Sequence, residues 1–149
     1  MTTEATPFTP GKAQVFWESK KPQVLIIGCG PLLYQALVAA RDLSAGGGEK
    51  EKIGVVVLNS HTIKPLDEDT IVELAKKIGA VVTVEEHQIS GGLGGAVAEA
   101  LARRAPAPME FVGLRDVFGE SGLPSQLLEK YGMGVEDIKA AVKKVLKRK

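Results

Sequence analysis

The sequence has 149 residues, of which 44% are hydrophobic and 25% are charged, so it predicts one globular domain with a core of its own. Its 19 Lys and Arg residues nearly balance its 18 Asp and Glu residues, and the net charge of +1 excludes a general electrostatic case for a nucleic-acid partner. No apolar run approaches the roughly eighteen residues that span a bilayer, so no membrane association is expected.

Two strands are predicted near the amino terminus. Residues 13–18 (AQVFWE) and 23–28 (QVLIIG) are rich in strand-forming residues and flank the polar stretch SKKP. This pattern predicts a hairpin, which would place one antiparallel strand at the edge of the sheet. Residues 1–10 are expected to be a flexible segment that precedes a domain over residues 11–149.

Strands and helices then alternate. Residues 53–59 and 80–85 are continuous β-branched apolar runs, which are typical of central parallel strands covered on both faces. Helices are predicted to begin at Pro31 and at Asp67, and Gly79 is placed to end the second. Their buried faces are predicted to contain Leu33, Ala36, Leu37 and Ala40 in the first helix and Ile71, Leu74, Ala75 and Ile78 in the second. Residues 46–52 (GGGEKEK) predict an exposed flexible loop.

The second half of the chain continues the alternation. A third helix is predicted from about Gly92 to the proline-rich stretch near Pro106, followed by a strand over 109–114. A short helix around Leu127 and a last helix containing Ile138 follow. The sum predicts an α/β fold, a three-layer α/β/α sandwich whose sheet has about five mostly parallel strands and one antiparallel edge strand. Ligands of such folds bind beyond the carboxyl ends of the strands.

The best candidate site lies within VEEHQISGGLGGAVAEALARR, residues 84–104. Glu85, Glu86 and His87 close a strand, and a glycine-rich stretch starts the next helix. Free backbone amides at a helix start bind anions, and glycines permit close subunit packing. This stretch therefore predicts either ligand contact or a subunit interface, and the residues alone favour the interface. The glycines concerned are Gly91, Gly92, Gly94 and Gly95.

Three other features carry less chemistry. His61 and Lys64 follow a strand and form either a functional pair at the carboxyl edge or a shaped loop before the helix cap. Cys29 follows a strand without an identifiable base, so a nucleophilic role is not favoured. It is the single cysteine and no signal peptide precedes it, which favours a cytoplasmic location. No spacing of His, Cys and acidic residues predicts a metal site.

Four motifs, in this order and spacing, resemble the C-terminal domain of transketolases. They are TIKPLD at 62–67, TVEEH at 83–87, GGLGGAVAEAL at 91–101 and SGLPSQLLEKYGM at 121–133. The same domain recurs in deoxyxylulose-phosphate synthases and in the beta subunits of 2-oxoacid dehydrogenases. The resemblance covers residues 11–146, and the last motif favours transketolase.

The resemblance implies a thiamine-diphosphate enzyme of the pentose phosphate type, which moves two-carbon ketol units between sugar phosphates. In that family the cofactor and a divalent metal, Mg or Ca, lie between a diphosphate-binding domain and a pyrimidine domain. This sequence contains no GDG motif and lacks the length for a pyrimidine domain. We therefore assign no catalytic, cofactor-binding or metal-binding residue to this chain, and expect the missing domains to be its partners in a homodimer or hetero-oligomer.

Three functions remain open at this point. The first is a non-catalytic C-terminal component of a transketolase that serves subunit packing, dimer assembly or regulation. The second is a free-standing module that binds an anionic or phosphate-bearing ligand at the glycine-rich helix start. The third, implied by the dehydrogenase relatives, is a domain that docks an acyltransferase core.

Overall fold

The computed structural model describes residues 4–46 and 52–149. The predicted alternation of strands and helices is confirmed, with each boundary close to its expected place, whereas the loop predicted around 46–52 falls mainly on residues outside the described ranges. The described elements are β1 (Gln14–Glu18), β2 (Val24–Gly28), α1 (Leu32–Ala45), β3 (Val55–Asn59), α2 (Glu68–Ile78), β4 (Val81–Gln88), α3 (Leu93–Arg104), β5 (Met109–Leu114), α4 (Pro124–Lys130) and α5 (Val135–Leu146).

The five strands form one sheet in the order β1-β3-β2-β4-β5. All neighbours are parallel except β1, which runs antiparallel to β3 at the edge, as predicted. The predicted hairpin between β1 and β2 is wrong, because β3 lies between them. Their connection passes over the start of β3, where the Gln23 amide donates to the Gly54 carbonyl at 2.8 Å. It spans two strand spacings, about 10 Å, which a few extended residues cover.

Helices cover both faces of the sheet, so the three-layer prediction is confirmed. Alternate residues of a strand point to opposite faces, and in β2 Val24 and Ile26 pack with α1 and α5, whereas Leu25 and Ile27 pack with α2 and α3. Every residue of β2 and β3 is buried, which explains their continuous apolar sequences. Within the described ranges no helix is long and apolar enough to cross a membrane.

Helix α2 begins and ends where local sequence signals predict. The Asp67 side chain accepts a hydrogen bond from the Thr70 amide, and Gly79 ends the helix in a left-handed conformation with φ of 80°. Lys76 and Lys77 in the last turn complement the negative end of the helix dipole. The predicted face of Ile71, Ala75 and Ile78 is buried, with Leu74 at its margin.

The topology places two strand ends at a crevice. Helix α1, which follows β2, packs on one face of the sheet, and α3, which follows β4, packs on the other. Because β2 and β4 are neighbours, their carboxyl ends border the point where the winding of the chain reverses. Ligands in open α/β sheets bind at such a switch point. Cys29 directly follows β2, and Glu85 lies in β4 one residue beyond the part of that strand that pairs with β2.

Candidate functional site

The glycine-rich stretch and one of the two adjacent acidic residues, Glu85, meet at the switch point. Strand β4 delivers Glu85 to the start of α3, where its side chain is 1% exposed. Its carboxylate oxygens accept hydrogen bonds from the Leu93 amide and from the Gly94 amide, each at 2.7 Å. A negative charge at this position also complements the positive end of the helix dipole. Glu85 therefore caps α3 from inside the fold.

This contact corrects the expectation of bare amides facing outward at the start of α3. The amides of Leu93 and Gly94, which an incoming anion would use, already bind the Glu85 carboxylate. Glu85 also carries the charge that an anionic ligand would bring. The reason is the length of β4: it continues through Glu85 to Gln88 and so brings this side chain beneath the helix start.

The glycines of this stretch make room for the buried carboxylate. A Cβ atom at Gly92 would overlap the Glu85 carboxylate. At Gly94 a Cβ atom would lie 2.8 Å from the Phe111 ring and 3.0 Å from the Thr83 hydroxyl. Gly91 has a φ of 86°, a left-handed conformation that favours glycine. By contrast, a Cβ atom at Gly95 would have its nearest contact at 3.7 Å.

Glu86 and His87 do not join Glu85. Both side chains are exposed. Glu86 points to the opposite side of the strand from Glu85, and His87 lies near the end of β4, beyond the residues that pair with β2. The His87 Nδ1 atom lies 3.1 Å from the carbonyl oxygen of Gln88. The three residues that stand together in the sequence are thus divided into one buried cap and two side chains that face solvent.

His61 and Lys64 belong to a loop that anchors the segment leading into β1. His61 Nε2 lies 3.2 Å from the Thr9 carbonyl oxygen, and the imidazole ring lies 4.6 Å from the Phe8 ring. The Lys64–Pro65 peptide bond is cis, and the Lys64 side chain is exposed. This loop is separate from the Glu85 cap, so the structure does not unite the two predicted clusters into one site.

Asp67 is buried at the end of that loop, and its carboxylate contacts several groups. Its carboxylate accepts the Ala13 amide at 2.9 Å and the Thr70 hydroxyl at 2.9 Å, and lies 3.8 Å from the Lys12 ammonium. Burial alone would raise the pKa of Asp67, but these hydrogen bonds and the Lys12 charge outweigh burial and lower the pKa. The TIKPLD motif therefore acts by tying the start of β1 to the start of α2.

Cys29 stays protonated at neutral pH. Burial, followed by the negative charge of Glu85, raises the pKa of the Cys29 thiol from 9.0 to about 11. A thiol is a weak nucleophile until it ionises, so this environment opposes catalysis by Cys29. Among residues 4–46 and 52–149 there is no group of three or more His, Cys, Asp or Glu side chains placed to hold a metal ion.

Sequence reasoning missed the loop that follows β5. Gln88 holds it at both ends of its side chain: its Nε2 donates to the Val117 carbonyl at 3.2 Å, and its Oε1 accepts the Asp116 amide at 2.7 Å. Phe118 projects from this loop with its side chain fully exposed. The signal was present, because Val117 and Phe118 form an apolar pair inside an otherwise turn-rich, polar stretch.

Comparison with known proteins identifies the family. The family described as "Transketolase, C-terminal domain" matches residues 11–138. The 6-deoxy-6-sulfo-D-fructose transketolase subunit of Clostridium sp. (strain MSTE9) is 43% identical over 147 residues, which cover 99% of this chain and 44% of that protein. Transketolase of Rattus norvegicus is 39% identical over 137 residues, which cover 91% of this chain and 21% of that protein.

Solved structures agree with the sequence comparison. One described as a split gene transketolase, inactive beta4 tetramer, has a TM-score of 0.88 at 43% identity and covers 98% of this chain and 46% of that chain. The transketolase from Leishmania mexicana has a TM-score of 0.67 at 23% identity, covers 93% of this chain and 18% of that chain, and shares the fold. This chain spans less than half the length of these relatives. It belongs to the transketolase C-terminal domain family.

Proposed function

We propose that this chain is the C-terminal component of a transketolase and contributes subunit packing rather than catalytic groups. The observation that carries the proposal is the 43% identity to a transketolase subunit over 99% of this chain. The enzyme as a whole would transfer two-carbon ketol units between sugar phosphates. The relatives named above are transketolases, which supports this assignment over a component of a 2-oxoacid dehydrogenase.

The internal use of the reactive side chains supports a non-catalytic role. Glu85 is committed to the helix start, Asp67 is committed to the β1 entry, and burial keeps the Cys29 thiol protonated. The described residues do not fit thiamine diphosphate, because the Glu85 carboxylate fills the helix start at the switch point and would repel a diphosphate. The same repulsion argues against a free-standing anion-binding module at this position.

We further propose that Glu86, His87, His61 and Lys64 contact the missing domains rather than a small ligand, because all four lie at or just after the carboxyl ends of β3 and β4 and keep exposed surface there. The solved relative described as a beta4 tetramer supports an oligomeric enzyme. A cytoplasmic enzyme is proposed because the single thiol, Cys29, has no partner for a disulfide within the chain.

The proposal is tested with the purified chain and with a partner that carries the GDG motif and a pyrimidine domain. The chain alone is expected to give a flat calorimetric titration with thiamine diphosphate and Mg²⁺, and no ketol transfer. Mixing it with the partner is expected to restore ketol transfer from a ketose phosphate to an aldose phosphate. Ketol transfer by the chain alone, or a partner that is fully active without it, would overturn the proposal.

A further inference from the structure

Lysine residues cluster at the edge of the sheet where the parallel strands begin, which we call the amino edge. They come from four separate segments: the connection between β1 and β2, the residues just before β3, the last turn of α2 and the segment after α5. Residues so far apart in the sequence meet only through the fold. The exposed lysines concerned are Lys20, Lys21, Lys52, Lys76, Lys77, Lys147 and Lys149.

Three contacts join these segments into one surface. The Lys149 ammonium donates to the Gln23 carbonyl at 3.3 Å, just before β2. A Cβ atom at Gly79, which directly follows α2, would lie 3.2 Å from the Lys149 side chain. Gly54, just before β3, packs against the backbone carbonyl of Lys21. The lysines therefore lie along the starts of β3, β2 and β4, a strip that covers two strand spacings, about 10 Å.

Few acidic groups offset these lysines. Of the described acidic residues toward the amino edge, Asp42 pairs with Arg41, and Glu110 pairs with two cations near the end of α5. Glu18, at the end of β1, adds one further negative charge. The whole chain has a net charge of only +1, so the part of it outside the seven lysines is acidic overall. The positive field is thus local to the amino edge, where repulsion among ammonium groups favours a polyanionic partner.

The composition of the cluster favours phosphate over carboxylate. Arginine binds carboxylates through a planar fork, whereas a lysine ammonium is a point charge that binds phosphate oxygens from any direction. The cluster consists of lysines, and the neighbouring Arg148 already donates to the Glu110 carboxylate and to the Met109 carbonyl, each at 2.7 Å. Within the described chain the exposed large hydrophobic side chains all lie away from this edge, so neither stacking on bases nor insertion into a membrane is supported.

We propose that the amino edge binds a linear polyphosphate chain along the starts of β3, β2 and β4. Such a chain is flexible and carries negative charge on every phosphate, so it can follow lysines that come from separate segments. A diphosphate is shorter than the strip, and the flat titration with thiamine diphosphate therefore remains expected. This site lies at the opposite edge of the sheet from the Glu85 cap and does not depend on the proposed function.

The test is calorimetric titration of the purified full chain with linear polyphosphate of about ten phosphates, at two salt concentrations. We expect binding about tenfold tighter than that of orthophosphate at equal total phosphate, and weaker binding at the higher salt concentration. Lys21→Gln combined with Lys77→Gln is expected to weaken binding about tenfold. The matched control, Arg115→Gln combined with Lys130→Gln, removes two exposed charges after β5 and should retain binding. Thermal unfolding checks that each variant folds; Lys77→Gln alone, with an expected loss of about threefold, replaces the pair if the pair does not.

Three results contradict this inference. Polyphosphate that binds no more tightly than orthophosphate excludes a site made by several lysines together. An equal loss of affinity in the control variant shows that net charge, and not the amino edge, determines binding. Tighter binding to a single-stranded oligonucleotide with the same number of phosphates, or to phosphatidylserine vesicles, assigns the surface to a nucleic acid or a lipid and refutes polyphosphate as the ligand. The proposed function is unaffected by all three, because ketol transfer after mixing with the partner is a separate measurement.

Discussion

Glu85→Gln is the sharpest test of the internal cap. The substitution keeps the size of the side chain but removes its charge and one of its two acceptor atoms. In the native chain the Leu93 and Gly94 amides each donate to a carboxylate oxygen at 2.7 Å, and Glu85 is buried. A glutamine can accept one of these bonds, and its amide N–H group must then point toward the other backbone N–H. One buried donor is left without an acceptor.

The expected loss of stability follows from these contacts. A hydrogen bond to a charged acceptor contributes about 1.5–3 kcal/mol, and the charge at the helix start adds about 0.3–1 kcal/mol. Removing the charge also removes part of the cost of burying a carboxylate, which offsets some of the loss. We therefore expect Glu85→Gln to lower the free energy of unfolding by about 2 kcal/mol.

Urea unfolding followed by circular dichroism measures the effect. With a denaturant slope of about 2 kcal/mol per molar, the midpoint of Glu85→Gln is expected about 1 M below that of the native chain. The matched control is Glu86→Gln, an exposed neighbour on the same strand, whose effect is expected within about 0.5 kcal/mol of zero. Equal midpoints for the two variants would refute the reasoning, because the buried carboxylate would then be dispensable for the start of α3.

Three further substitutions and one alkylation experiment test the surroundings of the Glu85 cap, the loop that contains Asp67, and the Cys29 thiol. Gly94→Ala is expected to destabilise the fold by about 1–3 kcal/mol in thermal unfolding, since its methyl group would lie 2.8 Å from the Phe111 ring. Gly95→Ala, whose methyl group would have its nearest contact at 3.7 Å, should stabilise the fold by about 0.5–1 kcal/mol. The folded-state pKa of Asp67 is lowered, so the stability that its carboxylate gives to the fold is present above its unfolded pKa and lost as pH falls through the folded pKa. Asp67→Asn should therefore flatten the pH dependence of stability below about pH 4. Unchanged acid sensitivity in this variant would contradict the prediction. At pH 8 iodoacetamide should alkylate Cys29 about 100-fold more slowly than a thiol of pKa 9.0, and unfolding in urea should remove the difference.

The sequence predicts those features that depend on neighbouring residues. Asp67 and Gly79 define the ends of α2 through local chemistry, a carboxylate that accepts an amide and a residue that tolerates a left-handed conformation. The predicted hairpin fails because strand order is not local. Residues 19–23 read equally well as a tight turn and as a short crossing above the start of β3, and only the completed sheet selects the crossing.

Prediction of the candidate site from the sequence was limited in the same way, because it depends on contacts that are not local in the sequence. The letters VEEH do not tell which of two adjacent glutamates points inward, because a shift of one residue in the strand exchanges the faces. Parallel pairing of β4 with β2, where Gly28 lies opposite Val84, fixes that choice and turns Glu85 toward α3. The glycines indicate either ligand contact or close subunit packing, but the group that fills this space is the Glu85 side chain of the same chain.

The filled switch point has a consequence for where the domain can make contacts. In an open α/β sheet the crevice between β2 and β4 is the position where a ligand would approach free helix amides. Here Glu85 occupies those amides, and the glycines at 92 and 94 leave no space beyond what its carboxylate and the Phe111 ring already use. The helix amides are therefore not available to a ligand at the centre of the carboxyl edge, whereas apolar groups remain exposed on either side of it, near β3 and after β5. An edge with a closed centre and apolar flanks is suited to broad contact with another protein domain rather than to capture of a small anion.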